Sequence, residues 1–278
     1  MSAEAFVVAQ VSDLHLDRAR PDAWEHLERA GGVLRKRAGE RGRVDLLVVS
    51  GDLTDDGFKR PRDLAVAKAA MEAAFEGCAE AVWLLPGNHD VGDFVGISDN
   101  GVSSERVAAW REVVGPDWMA LEWGEWLLLG IDAMVIGSGL AEEAEQLAWV
   151  RERVSGWSGH VGVFSHAPLV MEDWREAAGP ATGYWLPGEA GRLALLEALG
   201  REPEFMASGH VHRCRLDEEG RGRWRWCPPM MGTQVKAAYF RDEAESYRTG
   251  FLVHELRADG RSSVELVEMG METRVFEV

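Results

Sequence analysis

The chain has 278 residues, 46 % hydrophobic and 28 % charged, with a formal net charge of −17. That acidity argues against non-specific binding to DNA, RNA or anionic membranes, which needs clustered cations. No apolar stretch approaches the roughly 20 residues of a membrane helix, and the scattered Cys78, Cys214 and Cys227, with no CxxC pair, point to thiols in a reducing cytosol rather than a disulfide framework or a zinc knuckle.

The N-terminal MSAEAFVVAQ has no basic n-region and no small-residue cleavage site, so FVVAQV (6–11) reads as a first strand and not as a signal peptide. DAWEHLERAGGVLRKRAG (22–39) predicts a helix, DLLVVS (45–50) a buried strand, and RDLAVAKAAMEAAF (62–75) a helix opened by Pro61. AVWLLP (81–86) is a third strand. Beyond a polar region come a strand at WLLLGID (126–132), a helix at EEAEQLAWVRERV (142–154) and a strand at HVGVFS (160–165). A helix at PGEAGRLALLEALG (187–200) and a strand at EFMAS (204–208) follow. The tail holds FLVHEL (251–256) and SVELVEM (263–269), joined by RADGR, which predicts a β-hairpin within 250–270.

Strands alternating with helices predict an α/β fold with a parallel or mixed sheet, here a single domain over 1–278. Residues 91–125 and 168–186, rich in Gly, Trp and Asp, read as loops or short helices over a site. Exposed tryptophans in these two segments would offer a surface to a second copy, making a homodimer.

Five predicted strands end in residues that want water or a metal: VSDLH (11–15), VSGDLTD (49–55), GNHD (87–90), FSHAP (164–168) and SGHVH (208–212). In α/β sheets such ends converge on one crevice. Asp13, His15, Asp52, Asp55, Asn88, His89, Asp90, His166, His210 and His212 would gather there, while His26, His160 and His254 have no such context. Asp13 and His15 are two apart, as are His210 and His212, and an extended chain would point each pair the same way. Carboxylates, imidazoles and an amide oxygen suit Mn, Fe, Zn or Ni rather than Ca, and the set lacks a thiolate. Seven candidate ligands exceed the needs of one tetrahedral ion, so the natural count is two ions ~3.5–4 Å apart sharing one carboxylate. Gly51, Gly87 and Gly209 read as tight turns, Asp17 and Asp56 as turn or cap residues, and Asp90 as a support for its loop. Trp174, Tyr184 and Trp185 could stack a base or simply pack their loop.

The order D-x-H, GD-x-x-D, GNH-D, a lone His and GH-x-H resembles the calcineurin-like metallophosphoesterases, with all the blocks present over residues 13–212. The resemblance implies a four-layer α/β/β/α sandwich of two mixed sheets with a dinuclear metal centre at one edge, and RGRWRW (221–226) then fits an edge strand of the second sheet. It implies Asp13, His15, Asp52 and His212 as ligands of one divalent ion, and Asp52, Asn88, His166 and His210 as ligands of the other, bridged by Asp52. His89 matches the catalytic histidine, oriented by the Asp55 carboxylate; Asn88, His89 and His166 would contact substrate. Hydroxide formed between the ions would attack phosphorus while His89 protonates the leaving group, and the site would keep a charge of about +2.

GDLTDDG looks most like the bacterial class III cyclic-nucleotide phosphodiesterase branch, implying a cytoplasmic cAMP phosphodiesterase acting on a small phosphoester, with neither nucleic acid nor membrane as partner. A phosphomonoesterase, glycerophosphodiesterase or nuclease on the same scaffold stays open, as does a non-catalytic protein-binding scaffold.

Overall fold

The computed structural model describes residues 5–37, 43–177, 183–216, 223–231, 233–236, 248–270 and 274–277. The first half builds β1 (Phe6–Val11), α1 (Pro21–Arg37), β2 (Val44–Ser50), α2 (Pro61–Ala74), β3 (Ala79–Leu85), α3 (Asn88–Val91), α4 (Ser104–Val113) and β4 (Met119–Trp123). Then follow β5 (Trp126–Gly130), α5 (Ala141–Val154), β6 (His160–Phe164), α6 (Glu189–Leu199), β7 (Phe205–Ser208) and β8 (Trp224–Trp226). β9 (Thr233–Lys236), β10 (Gly250–Leu256), β11 (Ser262–Glu268) and β12 (Arg274–Glu277) close the chain. No helix among the described residues is long and apolar enough to cross a membrane.

Two five-stranded mixed sheets form, ordered β11-β10-β1-β2-β3 and β4-β5-β6-β7-β8. β1, β2 and β3 run parallel, and the expected C-terminal hairpin adds β10 antiparallel to β1. β5 to β8 are parallel, with β4 antiparallel at one edge and β8, from the RGRWRW stretch, at the other. Alternation along the strands splits the core. Phe6, Val8, Leu46, Val48, Trp83 and Leu85 face Trp126, Leu128, Phe164 and Phe205 between the sheets. Ala9, Val11, Leu47 and Val49 face the other way, onto the layer of Leu27, Leu34, Leu64 and Met71 from α1 and α2. α5 and α6 pack together as the outer layer of the second sheet. Hydrophobic on both faces, the strands read as continuous apolar runs, as buried parallel strands must.

Residues 91–125 are more regular than loops. Ser103 caps α4, its Oγ accepting from the Arg106 amide at 3.4 Å. β4 pairs with β5 across a tight turn at Gly124 and Glu125, with Gly124 at φ 56°. Its half-exposed MALEW carries too weak an alternation to announce a strand, because an edge strand buries little. Of the tryptophans in the two crossing segments, Trp110, Trp174 and Trp185 turn inward, at most 6 % exposed, while Trp118 and Trp123 are half-buried.

Beyond β5, Asp132 is fully buried; its Oδ1 accepts from the Met134 amide at 2.8 Å, and its Oδ2 has no hydrogen-bond partner among the described residues. Burial, reinforced by the charge of Asp117, raises its pKa well above the carboxylate range. Burial raises Asp117 as well, opposed by its two-point pair with Arg111 at 2.9 and 3.1 Å. A raised folded-state pKa means stability that is full at low pH and lost as pH rises through the shifted value, at about 1.4 kcal/mol per unit. Asp132→Asn mimics the neutral acid. Its lead over the wild type in melting temperature is expected to widen by several degrees from pH 4 to pH 8; a gap that does not change with pH would show that Asp132 carries no buried charge.

Candidate metal centre

Every motif lies just past the end of a strand, but not in extended chain. Among the described residues, the non-glycine positions with positive φ are Asp13 (55°), His15 (45°), Asp52 (52°), His210 (66°) and His212 (51°). All five are expected ligands, so the two-apart pairs converge through left-handed turns rather than strand alternation. Each such residue costs about 1–2 kcal/mol, which surrounding bonds offset. The amides of Asp13, His15 and Leu16 donate to the carbonyls of Gly51, Asp52 and Leu53 at 3.1, 2.9 and 2.9 Å. The turn after β2 takes Gly51 to φ 94°. At Gly87 the demand is space: a Cβ would lie 2.2 Å from Asp52 Oδ1.

The carboxylates sew the loops together. Asp13 accepts from the His210 amide through both oxygens (3.2 and 3.1 Å), and Asp52 Oδ1 accepts from the His89 amide at 2.9 Å. Asp90 has four donors on it: the amides of Leu53, Thr54 and Gly87 and the Thr54 hydroxyl, at 3.0–3.1 Å. It ties the GDLT loop to the GNHD turn, as a loop support should. Burial and the Asp52 charge push its pKa up to about 7.

Three groups of side chains result. Asp52 belongs to two of them, Asp13, His15, Asp52 and His212, and Asp52, His166 and His210, all buried; the third, His15, Asp55 and His89, is partly exposed. Hydrogen bonds fix the tautomers. His15 Nδ1 donates to Asp55 Oδ1 at 3.0 Å, so its Nε2 lone pair faces Asp52 Oδ2 at 3.5 Å and His212 Nε2 at 3.2 Å. His166 Nδ1 donates to the Ser50 carbonyl at 2.8 Å, so its Nε2 is the atom facing Asp52 Oδ2 and Asn88 Oδ1, both at 3.2 Å, and is free for a cation once it gives up its proton. Asn88 Nδ2 donates to Asp93 Oδ1 (3.1 Å) and to the Tyr184 hydroxyl (3.3 Å), which turns Oδ1 inward. His210 Nε2 donates to the Tyr184 carbonyl at 2.8 Å, leaving Nδ1 as its lone-pair atom.

Lone pairs aimed at lone pairs across 3.2 Å repel unless a cation lies among them. Without a metal, a proton on His166 meets that demand. Burial opposes charge on His166, yet Asp52 beside it raises its pKa to about 9. Burial and the His166 charge hold His210 down at about 3, a neutral donor. Burial would raise Asp13, but the His212 charge lowers it to about 2; Asp52 is lowered further, chiefly by His166 against its own burial. Ionised carboxylates and imidazole lone pairs are the chemistry of a divalent-cation site, and the residues fit two ions with one shared carboxylate.

His89 is half-buried at the rim, with its ring edge-on to His15 at 4.6 Å. Here the structure corrects one expectation. The Asp55 carboxylate goes to His15, and it is the Asp55 backbone carbonyl that accepts from His89 Nδ1, at 2.6 Å. One residue thus holds two rings, because the turn after GDLT aims its carbonyl and side chain in different directions. Burial alone would depress His89, but Asp52 and the Asp55 carbonyl raise its pKa. Asp17 caps the Ala19 amide and pairs with Arg60, and Asp56 pairs with Lys59, so both act locally. Of the three aromatic candidates, Tyr184, 38 % exposed, and the buried Trp185 both pack on the His210 ring, at 5.2 and 5.6 Å, while Trp174 lies in the core. Ser50 and Asp93, which hold His166 and Asn88, lie beside motif residues without belonging to the recognisable pattern.

A model of the calcineurin-like phosphoesterase family matches residues 6–214. No curated protein matches the sequence. Among solved structures, a dimetal phosphatase from Danio rerio is similar with a TM-score of 0.58 at 14 % identity, covering 94 % of this chain and 98 % of that one. GAP50, the anchor in the inner membrane complex of Plasmodium, is similar with 0.58 at 15 % identity, covering 98 % and 87 %. Purple acid phosphatase PPD1 from yellow lupin seeds gives 0.56 at 11 % identity over 99 % of this chain and 54 % of that one, so the chain spans about half its length. At such identities the likeness is one of fold.

Proposed function

Since the chain belongs to the calcineurin-like phosphoesterase family, and is on that ground a metal-dependent phosphoester hydrolase, we propose that it cleaves a small phosphodiester, a 3',5'-cyclic nucleotide such as cAMP above all. The observation that carries the reading is Asp52 Oδ2, which lies 3.2 Å from a lone pair of one ligand group and 3.5 Å from a lone pair of the other. Asp13, His15, Asp52 and His212 would hold one divalent ion; Asp52, Asn88, His166 and His210 the other. When bound, the ions supply positive charge for the phosphoryl oxygens and an acidified water as nucleophile.

The protein's own groups do the rest. His89 delivers a proton to the leaving alkoxide, its Nδ1–H tied to the Asp55 carbonyl so that Nε2 is the atom presented. Asn88 and His166 line the floor of the site. The Tyr184 hydroxyl accepts from Asn88 and keeps its own hydrogen for a phosphoryl oxygen. The resemblance of GDLTDDG to the cyclic-nucleotide branch supports the substrate class, and the net charge of −17 disfavours a nuclease.

Turnover of cAMP, bis(p-nitrophenyl) phosphate, p-nitrophenyl phosphate and single-stranded DNA with Mn²⁺ tests the reading. The diesters should lead; a monoester turned over far faster than either diester would make the protein a phosphomonoesterase. Tyr184→Phe should cost about tenfold in kcat/KM, the worth of one hydrogen bond to a charged oxygen, while metal content by elemental analysis stays unchanged.

A further inference from the structure

Between the two sheets, in a layer otherwise filled by Phe, Leu, Val and Trp, four polar side chains are almost wholly buried: Gln10, Ser50 and His254 at 0 % exposure and Arg225 at 1 %. They form one continuous chain. Arg225 Nη1 lies 3.1 Å from His254 Nδ1, and a guanidinium can only donate, so Nδ1 accepts and Nε2 carries the ring hydrogen. His254 Nε2 then donates to Gln10 Oε1 at 3.1 Å. Gln10 Nε2 donates to Ser50 Oγ at 3.0 Å, and Ser50 Oγ donates to the Val11 carbonyl at 3.3 Å. Arg225 itself packs on the Phe205 ring at 4.1 Å and donates to Ser262 Oγ at 2.7 Å, tying β8 to β11. Every donor faces an acceptor, and no link can be reversed without breaking the next.

The chain ends where the site begins. The Ser50 carbonyl accepts from His166 Nδ1 at 2.8 Å and from Ser12 Oγ at 3.1 Å. Ser50 also directly precedes Gly51 and Asp52, both at positive φ. A shift of Ser50 would therefore move the His166 ring and the backbone that carries Asp52. His15, in the other ligand group, takes its ring orientation from Asp55 instead, and meets this segment only through its amide, which donates to the Asp52 carbonyl at 2.9 Å.

We propose that Arg225, His254, Gln10 and Ser50 act as positioning residues for His166, a buried tether running through the interior of the sandwich that governs the affinity of the ion at His166 more strongly than that of its neighbour. The proposal rests on the two-metal reading above. A purely apolar layer would fill this space at lower desolvation cost, and outer partners of metal-ligating histidines typically govern affinity by about 10- to 100-fold. Burial and the neighbouring guanidinium keep His254 neutral, as the tether requires.

The test is calorimetric titration of the chelator-stripped full chain with Zn²⁺, together with NMR of the histidine ring nitrogens. The wild type should take up two ions. Gln10→Leu, and the milder Ser50→Ala should Gln10→Leu fail to fold, should weaken one ion at least about tenfold and move the zinc-induced shift of His166 to correspondingly higher zinc while leaving that of His15 in place. Asp55→Asn should do the reverse. Leu128→Ala, fully buried in the same layer, should lower the melting temperature and leave both affinities alone. Wild-type affinities in Ser50→Ala, or equal weakening of both ions in Gln10→Leu and Leu128→Ala alike, would overturn the tether and spare the two-metal reading. A wild type that binds fewer than two ions would overturn both.

Discussion

Asp52→Ala should empty the protein of both ions in one step, with turnover falling at least about a thousandfold, since Lewis-acid stabilisation is worth several kcal/mol. No other ligand substitution should do this. Asp13→Ala or His210→Ala touches one group only, whereas Asp52 Oδ2 faces His15 Nε2 at 3.5 Å and His166 Nε2 at 3.2 Å. Asp52 Oδ1 also accepts from the His89 amide at 2.9 Å, so the alanine variant loosens the GNHD turn as well. Asp52→Asn separates the effects: it keeps that hydrogen bond and removes the charge. Elemental analysis of both variants, with circular dichroism for the fold, decides the point. A folded Asp52→Ala protein that still carries two ions would mean that the ions share no carboxylate here.

His89→Ala should cost about 10²- to 10⁴-fold on esters with alkyl-alcohol leaving groups, the usual worth of general-acid help. It should leave p-nitrophenyl esters nearly untouched, because p-nitrophenolate departs without a proton. Equal losses on both classes would remove His89 from the proton-transfer role. The geometry adds a second discriminating variant. Because His89 Nδ1 is held by the Asp55 carbonyl and not by its carboxylate, Asp55→Asn should not reproduce the His89→Ala pattern. It should instead disturb His15, whose tautomer the carboxylate sets, and lower activity on both ester classes equally through weaker metal binding. Rates across a series of leaving groups for the two variants distinguish these outcomes.

Much of the site can be read directly from the chain. Apolar runs such as DLLVVS mark buried parallel strands, and an aspartate or histidine immediately after one has little reason to be there unless something binds it. Asp13, His15, Asp52, Asn88, His166, His210 and His212 stand together in the structure as their order implied. β4 escaped because an edge strand alternates weakly, while α4 is one of the short helices expected within 91–125. His254 offered no motif at all: one histidine on an apolar strand has the same local pattern whether it is inert or joins a network.

Residue chemistry and the order of the motifs along the chain were sufficient to determine the α/β class and which carboxylates and imidazoles gather at the sheet edge. Only the tertiary structure decided how those residues are aimed: the left-handed turns at Asp13 and Asp52, the divided loyalty of Asp55, the tautomers of His15 and His166, and the tether through Gln10. The reason is physical. An imidazole's free lone pair is set by whatever accepts from its other nitrogen, and here those partners lie 40 residues away for His15 and 116 for His166. Local periodicity holds no record of such distances; packing of the two sheets does.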